Sequence, residues 1–175
     1  MSGYDVFTQE GALEGDGESD FPLPAEVFGL GRVTVKIGEG LDPSFKGDWS
    51  GWDREAQRIT STTGELVWDY GQRYVEVRAA KTQGIIGFSG GETIELPDVT
   101  VRMESPFASL LFTALDDRPI GESNQILVTA LAREKLTGSQ MNGEGDETTL
   151  TAIGGPPLLL EPVRAKIQFG GAPIW

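Results

Sequence analysis

The sequence holds no cysteine and no histidine in 175 residues. Without cysteine there are no disulfides, no thiol nucleophile and no Cys-ligated zinc. Without histidine the commonest general base and the commonest transition-metal ligand are gone. Positive charge is scarce: 14 Lys and Arg stand against 27 Asp and Glu, a formal charge of −13. Phosphate-backbone binding needs a basic face, so nucleic acid is not an expected partner. Long apolar runs are missing too. The longest, Pro156-Pro157-Leu158-Leu159-Leu160, is strand-sized, against the roughly 20 residues that span a bilayer, so no membrane partner is expected. The opening Met1-Ser2-Gly3-Tyr4-Asp5 has neither the basic end nor the apolar centre of a secretory signal. That start fits either an intracellular chain or a module of a larger secreted protein, and the second is the expectation developed below.

Glycine and turn residues are abundant, with 24 Gly and 10 Pro. Residues 1–20 read as a flexible, acidic and glycine-rich lead-in, and residues 21–175 as a single domain of ordinary length. Short β-type segments follow one another between Gly or Pro breaks. Arg32 to Ile37, Arg73 to Arg78 and Val163 to Phe169 alternate at period two. Between the first and the last lie Glu65 to Asp69, Gly84 to Phe88, Thr93 to Leu96, Val99 to Met103, Ala108 to Leu115 and Gln125 to Leu131. The best helix candidate, Thr129 to Leu136, reads equally as the end of a strand. Residues 139–149 are polar and read as an exposed excursion. Many short strands without crossover helices predict an all-β fold, an antiparallel two-sheet β-sandwich of jelly-roll type, with a barrel as the alternative.

Carboxylates, Lys, Tyr and Ser are what remains for catalysis. Among 27 acids a glycosidase-like pair can always be chosen, so the choice carries no information. Glu65 and Asp69 flank Trp68, and both are expected to face solvent while Trp68 joins the core. Ser61 and Ser123 lack a nucleophile elbow. No catalytic residue, cofactor or metal site is assigned. A structural Ca²⁺ on the acidic runs Asp16 to Asp20 or Gly143 to Glu147 stays open, although neither run has the full calcium-loop pattern.

Residues 38–54 read as a long irregular loop, a length that usually signals function. Phe45, Trp49 and Trp52 lie in it, with Asp48, Asp53 and Arg54 beside them and Tyr70 in a later turn. Exposed rings at such spacing are costly unless used. Flat rings stack on sugar faces, and neighbouring polar groups bond sugar hydroxyls. Phe45, Trp49, Trp52 and Tyr70 are therefore the candidate stacking residues, and Asp48, Asp53 and Arg54 the candidate hydroxyl partners. Alternatively the same rings cap the open end of the core.

The run Thr60-Ser61-Thr62-Thr63-Gly64-Glu65-Leu66-Val67-Trp68-Asp69-Tyr70 continues into Lys81-Thr82-Gln83-Gly84-Ile85-Ile86-Gly87-Phe88. With Ile94 to Val101, Ala114 to Ser123 and Leu160 to Val163, this pattern resembles the ancillary, carbohydrate-binding-module-like β-sandwich of bacterial glycoside hydrolases. The resemblance spans most of residues 30–169 and implies a non-catalytic role: holding a polysaccharide or packing on an attached catalytic domain. It supplies no ligand residues, and the ring-bearing loop lies outside it. The expectation is thus a polysaccharide-binding module of a secreted enzyme. The alternative is a structural domain that buries its rings against the catalytic neighbour, and a small two-carboxylate glycosidase ranks below both.

Overall fold

The computed structural model describes residues 25–31, 48–143 and 148–170. The expected strand Arg32 to Ile37, the acidic lead-in and Phe45 lie outside these residues. The described chain is all-β and antiparallel, as the periodicity predicts, and it divides into two units, Met1–Ala79 and Ala80–Trp175.

The first unit is a meander of β1 (Trp52–Asp53), β2 (Arg58–Thr60), β3 (Leu66–Asp69) and β4 (Tyr74–Arg78). Trp52 pairs with Ile59, Ile59 with Trp68 and Trp68 with Val75, so these four side chains share one face. A single 3-10 turn, Ala25–Gly29, lies on that face. Gly29 packs closely there: a Cβ would stand 3.1 Å from Ile59 and 3.2 Å from Trp68, so those side chains would have to give by a few tenths of an ångström. Val27, Leu30 and Ile59 are buried around this contact.

The opposite face mixes charged side chains with the buried Val67 and Tyr74. Arg58, Asp69, Tyr74 and Glu76 lie on it, and Glu76 is only 2% exposed between hydrogen bonds from Arg58 and Arg78. Two guanidinium groups offset the desolvation of this carboxylate, which alone would be prohibitive. Asp69 departs from expectation: it is buried rather than solvent-facing. Its Oδ1 accepts the Gln72 N–H at 2.8 Å and so closes the turn after β3, where Arg73 takes a positive φ of 65°. Glu65 is exposed as expected, and Trp68 is half-buried rather than fully enclosed.

The second unit is a two-sheet sandwich. One sheet is ordered β5 (Thr82–Gly87), β8 (Ala108–Ala114), β9 (Ile126–Leu131), and the other β14 (Ala165–Phe169), β7 (Val99–Met103), β6 (Thr93–Glu95). The burial alternates strictly along β8, with Ala108, Leu110, Phe112 and Ala114 inward. The Phe112 and Phe169 rings meet edge to face at 5.5 Å, joining strands of the two sheets. Gln83 is fully buried, donates to Asp98 Oδ2 at 2.7 Å and accepts the Asp98 N–H at 2.9 Å, which ties β5 to the turn between β6 and β7. Gly84 crosses β8 where a Cβ would strike the Leu110 carbonyl.

The region 129–136 resolves to strand: β9 ends at Leu131 and β10 (Glu134–Thr137) begins three residues later. Among the described residues β10 pairs only with β13 (Gly155–Leu160), and β11 (Gln140–Asn142) only with β12 (Thr149–Ala152). Together they make a two-stranded ribbon with register breaks at Leu136/Thr137 and Gln140/Met141. The described residues of the polar excursion expected over 139–149 are therefore part strand, and all of them but the half-buried Ser139 are exposed as expected.

Candidate functional site

The candidate site is assembled from turns that the meander holds in place. Asp48 starts it. Its Oδ1 accepts the Ser50 N–H at 2.8 Å and its Oδ2 accepts the Ser50 hydroxyl at 2.7 Å. These bonds to the anionic form hold the Asp48 carboxyl below its ordinary range, the Ser50 hydroxyl first and its backbone N–H second. The turn closes when the Trp52 N–H donates to the Trp49 carbonyl at 3.0 Å. Gly51 is needed inside it, since a Cβ would collide with the Thr60 carbonyl.

Trp52 and Asp53 lie on β1 rather than in an irregular loop, because they pair with Ile59 and Arg58. Asp53 Oδ1 accepts the Ala56 N–H at 2.9 Å and closes the β1–β2 hairpin. Gln57, at φ 54°, offers its carbonyl to the N–H groups of Tyr70 and Gly71 at 3.0 and 3.4 Å. That contact fixes the turn carrying Tyr70 beside the hairpin.

The result is a continuous aromatic strip. Trp49 stacks on Trp52 with centroids 5.7 Å apart and planes 22° from parallel. Trp52 donates its Nε1–H to the Tyr70 hydroxyl at 3.2 Å. Tyr70 meets Trp68 edge to face at 5.6 Å. The Arg54 guanidinium sits 4.3 Å from the Trp52 ring centroid, within cation–π reach. Trp49, at the outer end, is 39% exposed, while Trp52, Trp68 and Tyr70 are half-buried.

Of the seven predicted site residues, Trp49, Trp52, Arg54 and Tyr70 come together in this strip, and Phe45 lies outside the described residues. Asp48 and Asp53 each hold a turn and also line an adjoining polar groove of about 720 Å³ with Arg58 and Thr60. The hydroxyl-bearing run Ser61, Thr62 and Thr63 forms its other wall. Two participants were missed from sequence. Trp68 reads as core because it alternates in a strand. The Ser61 to Thr63 run reads as a turn, and only the pairing of β2 with β3 places it beside Asp48 and Asp53.

The strip offers one exposed ring, Trp49, backed by rings packed face to face and edge to face behind it, and the groove offers hydroxyls, two carboxylates and one guanidinium. Among the described residues no group of three or more Asp or Glu side chains is placed to hold a metal ion, and no helix is long and apolar enough to cross a membrane. Comparison with protein-family models, curated proteins and solved structures returned no match.

Proposed function

We propose that this chain is a non-catalytic carbohydrate-binding module that holds a plant or algal polysaccharide for an attached glycoside hydrolase. The observation that carries this reading is the aromatic strip running from Trp49 through Trp52 and Tyr70 to Trp68. Stacking, a hydrogen bond and the Arg54 cation hold its rings before any ligand arrives, so little rotamer entropy remains to be lost on binding. A pyranose face lies on Trp49, the exposed ring, which Trp52 and the Arg54 cation hold from behind. Hydroxyls at the sugar edge meet Arg54 and the groove hydroxyls, along with the lone pairs of Asp48 and Asp53 not used in the turns.

The charge balance narrows the ligand. The first unit carries 7 Lys and Arg against 15 Asp and Glu, a net of −8, which repels polyuronates and sulfated chains. A neutral polysaccharide is therefore the favoured ligand. Such a polymer cannot enter a cell, so the reading places the module outside it, carried by its secreted parent.

The test is affinity electrophoresis of the whole chain through gels containing xylan, xyloglucan, mixed-linkage glucan, mannan, pectin or agarose. Retardation by a neutral glucan, xylan or mannan is expected. Trp49→Ala should weaken it about tenfold, since a ring contact is worth about 0.5–1.5 kcal/mol beyond its area. If no polymer retards the folded chain, the proposal fails, and the strip is better read as a surface that packs on a neighbouring catalytic domain.

A further inference from the structure

The ribbon at the far end of the sequence has no part in the glycan reading, and it is built unlike a free surface. Met141, Leu150, Ile153, Leu158, Leu159 and Leu160 are each between 44% and 78% exposed. Together they present several hundred Å² of mostly apolar area, in the range of the roughly 300–600 Å² of the largest patch on a typical monomer. Leu136 and Leu158 are cross-strand partners, and Leu160 lies two residues on from Leu158, so the three share one face. With Met141, Leu150 and Ile153 they line a trough of about 800 Å³. Among the described residues the ribbon is also only two strands wide. Two strands alone are marginal in water, and stability comes from a further layer packed on the apolar face.

We propose that this trough is the interface of a homodimer, in which the ribbon of a second copy supplies the missing layer. The area is the first argument: several hundred Å² per chain is of the same order as the roughly 800 Å² that each partner contributes to a standard stable interface. Charge is the second. Residues 1–125 carry 10 basic and 22 acidic side chains, a net of −12, whereas residues 126–175 carry 4 and 5, a net of −1. Two copies of so acidic a chain repel one another least through this segment. The charges at the trough, Arg133, Glu134, Lys135 and Glu161, sum to zero. A two-fold contact sets the same patch against itself, and a balanced patch satisfies that condition where a −12 surface does not. A basic partner protein would instead be drawn to the acidic remainder of the chain.

Sedimentation equilibrium of the whole chain tests this. A species of twice 18.8 kDa is expected at micromolar concentration, dissociating on dilution. Because the contact is apolar and the chains repel, raising salt from low to about 0.5 M should tighten the dimer, the reverse of an ion-paired interface. Leu158→Glu with Leu160→Glu should raise the dissociation constant at least a hundredfold. Both side chains are exposed in the single chain, so the far-UV circular dichroism should stay unchanged. Hydrogen exchange of the unaltered chain gives a reading free of mutation: amides of 134–137 and 155–160 should lose protection on dilution. An 18.8 kDa species at every concentration overturns the proposal, as does a dimer that survives the double substitution. Neither outcome bears on glycan retardation, which is read on the other unit.

Discussion

Two exposed regions of this chain solve opposite problems. The strip of Trp49, Trp52, Tyr70 and Trp68 displays rings, yet each ring is restrained by a neighbour: a stack, an N–H donor, an edge contact or a cation. Beneath it, Ile59 and the 3-10 turn provide a buried floor. The ribbon displays branched and flexible aliphatic side chains, and among the described residues its strands pair only with each other. A surface stiff before binding suits a flat, polar ligand that repays little ordering cost. A surface that is apolar and adaptable suits a complementary apolar one. The difference teaches that exposed hydrophobic area is not one signal. Its chemistry and its support decide what kind of partner it fits.

The largest break in that comparison comes from removing the floor. Ile59 is fully buried, touches the Gly29 site and pairs with both Trp52 and Trp68. Ile59→Ala should cost about 2–4 kcal/mol of stability in urea denaturation, the transfer term plus an incompletely closed cavity. The matched change in the ribbon, Leu150→Ala, removes a side chain already half in water. At concentrations where the chain is monomeric it should cost under about 0.5 kcal/mol. Equal losses at the two positions would mean that the strip has no more support than the ribbon.

Sequence reading reached the strands and the rings but not their arrangement. Period-two alternation marks Arg73 to Arg78 because one face is covered and the other is not, whereas Ala108 to Leu115 shows in sequence only as an apolar segment and its alternation emerges in burial. It is silent on β1, whose Trp52-Asp53 is too short to show a period, and on the ribbon, where both faces are wet and nothing selects alternation. Trp49 and Trp52 stood out by composition alone. Trp68 did not, since a ring in a strand looks the same whether it ends in the core or at the edge of a platform. Asp69 misled for a related reason: its burial follows from a turn bond to Gln72, which leaves no mark in residue periodicity.

A smaller change sharpens what holds the strip. Arg54 caps Trp52 by charge rather than by burial, for the guanidinium itself is exposed. Arg54→Ala should lower stability by about 0.5–1 kcal/mol, the usual worth of such a contact at an exposed site. Its clearer readout is tryptophan fluorescence, which should shift to the red as the indole gains water. No spectral change would assign the stiffness of the strip to the Trp49 stack and the Tyr70 hydrogen bond alone.

The smallest effect is set by protons, and it distinguishes the regions by where it falls. Asp48 is held below the ordinary aspartate value of 3.8 by the Ser50 hydroxyl and then by the Ser50 N–H. Glu161 on the ribbon is held below the ordinary glutamate value of 4.5 chiefly by its hydrogen bond from Arg133. In both cases the folded chain binds its proton less readily than the unfolded chain. The contribution is therefore complete above the ordinary value and is lost as pH falls through the lowered one. The turn that sets Trp49 on Trp52 should hold to a lower pH than a free aspartate would allow, and its Asp48 carboxyl resonance should titrate with a midpoint below 3.8. Asp48→Ala should remove that segment of acid sensitivity from the tryptophan signal while leaving the Glu161 titration in place. A midpoint at or above 3.8 for Asp48 would show that the Ser50 bonds do not persist in solution, and the strip would then lose the turn that aligns its outermost ring.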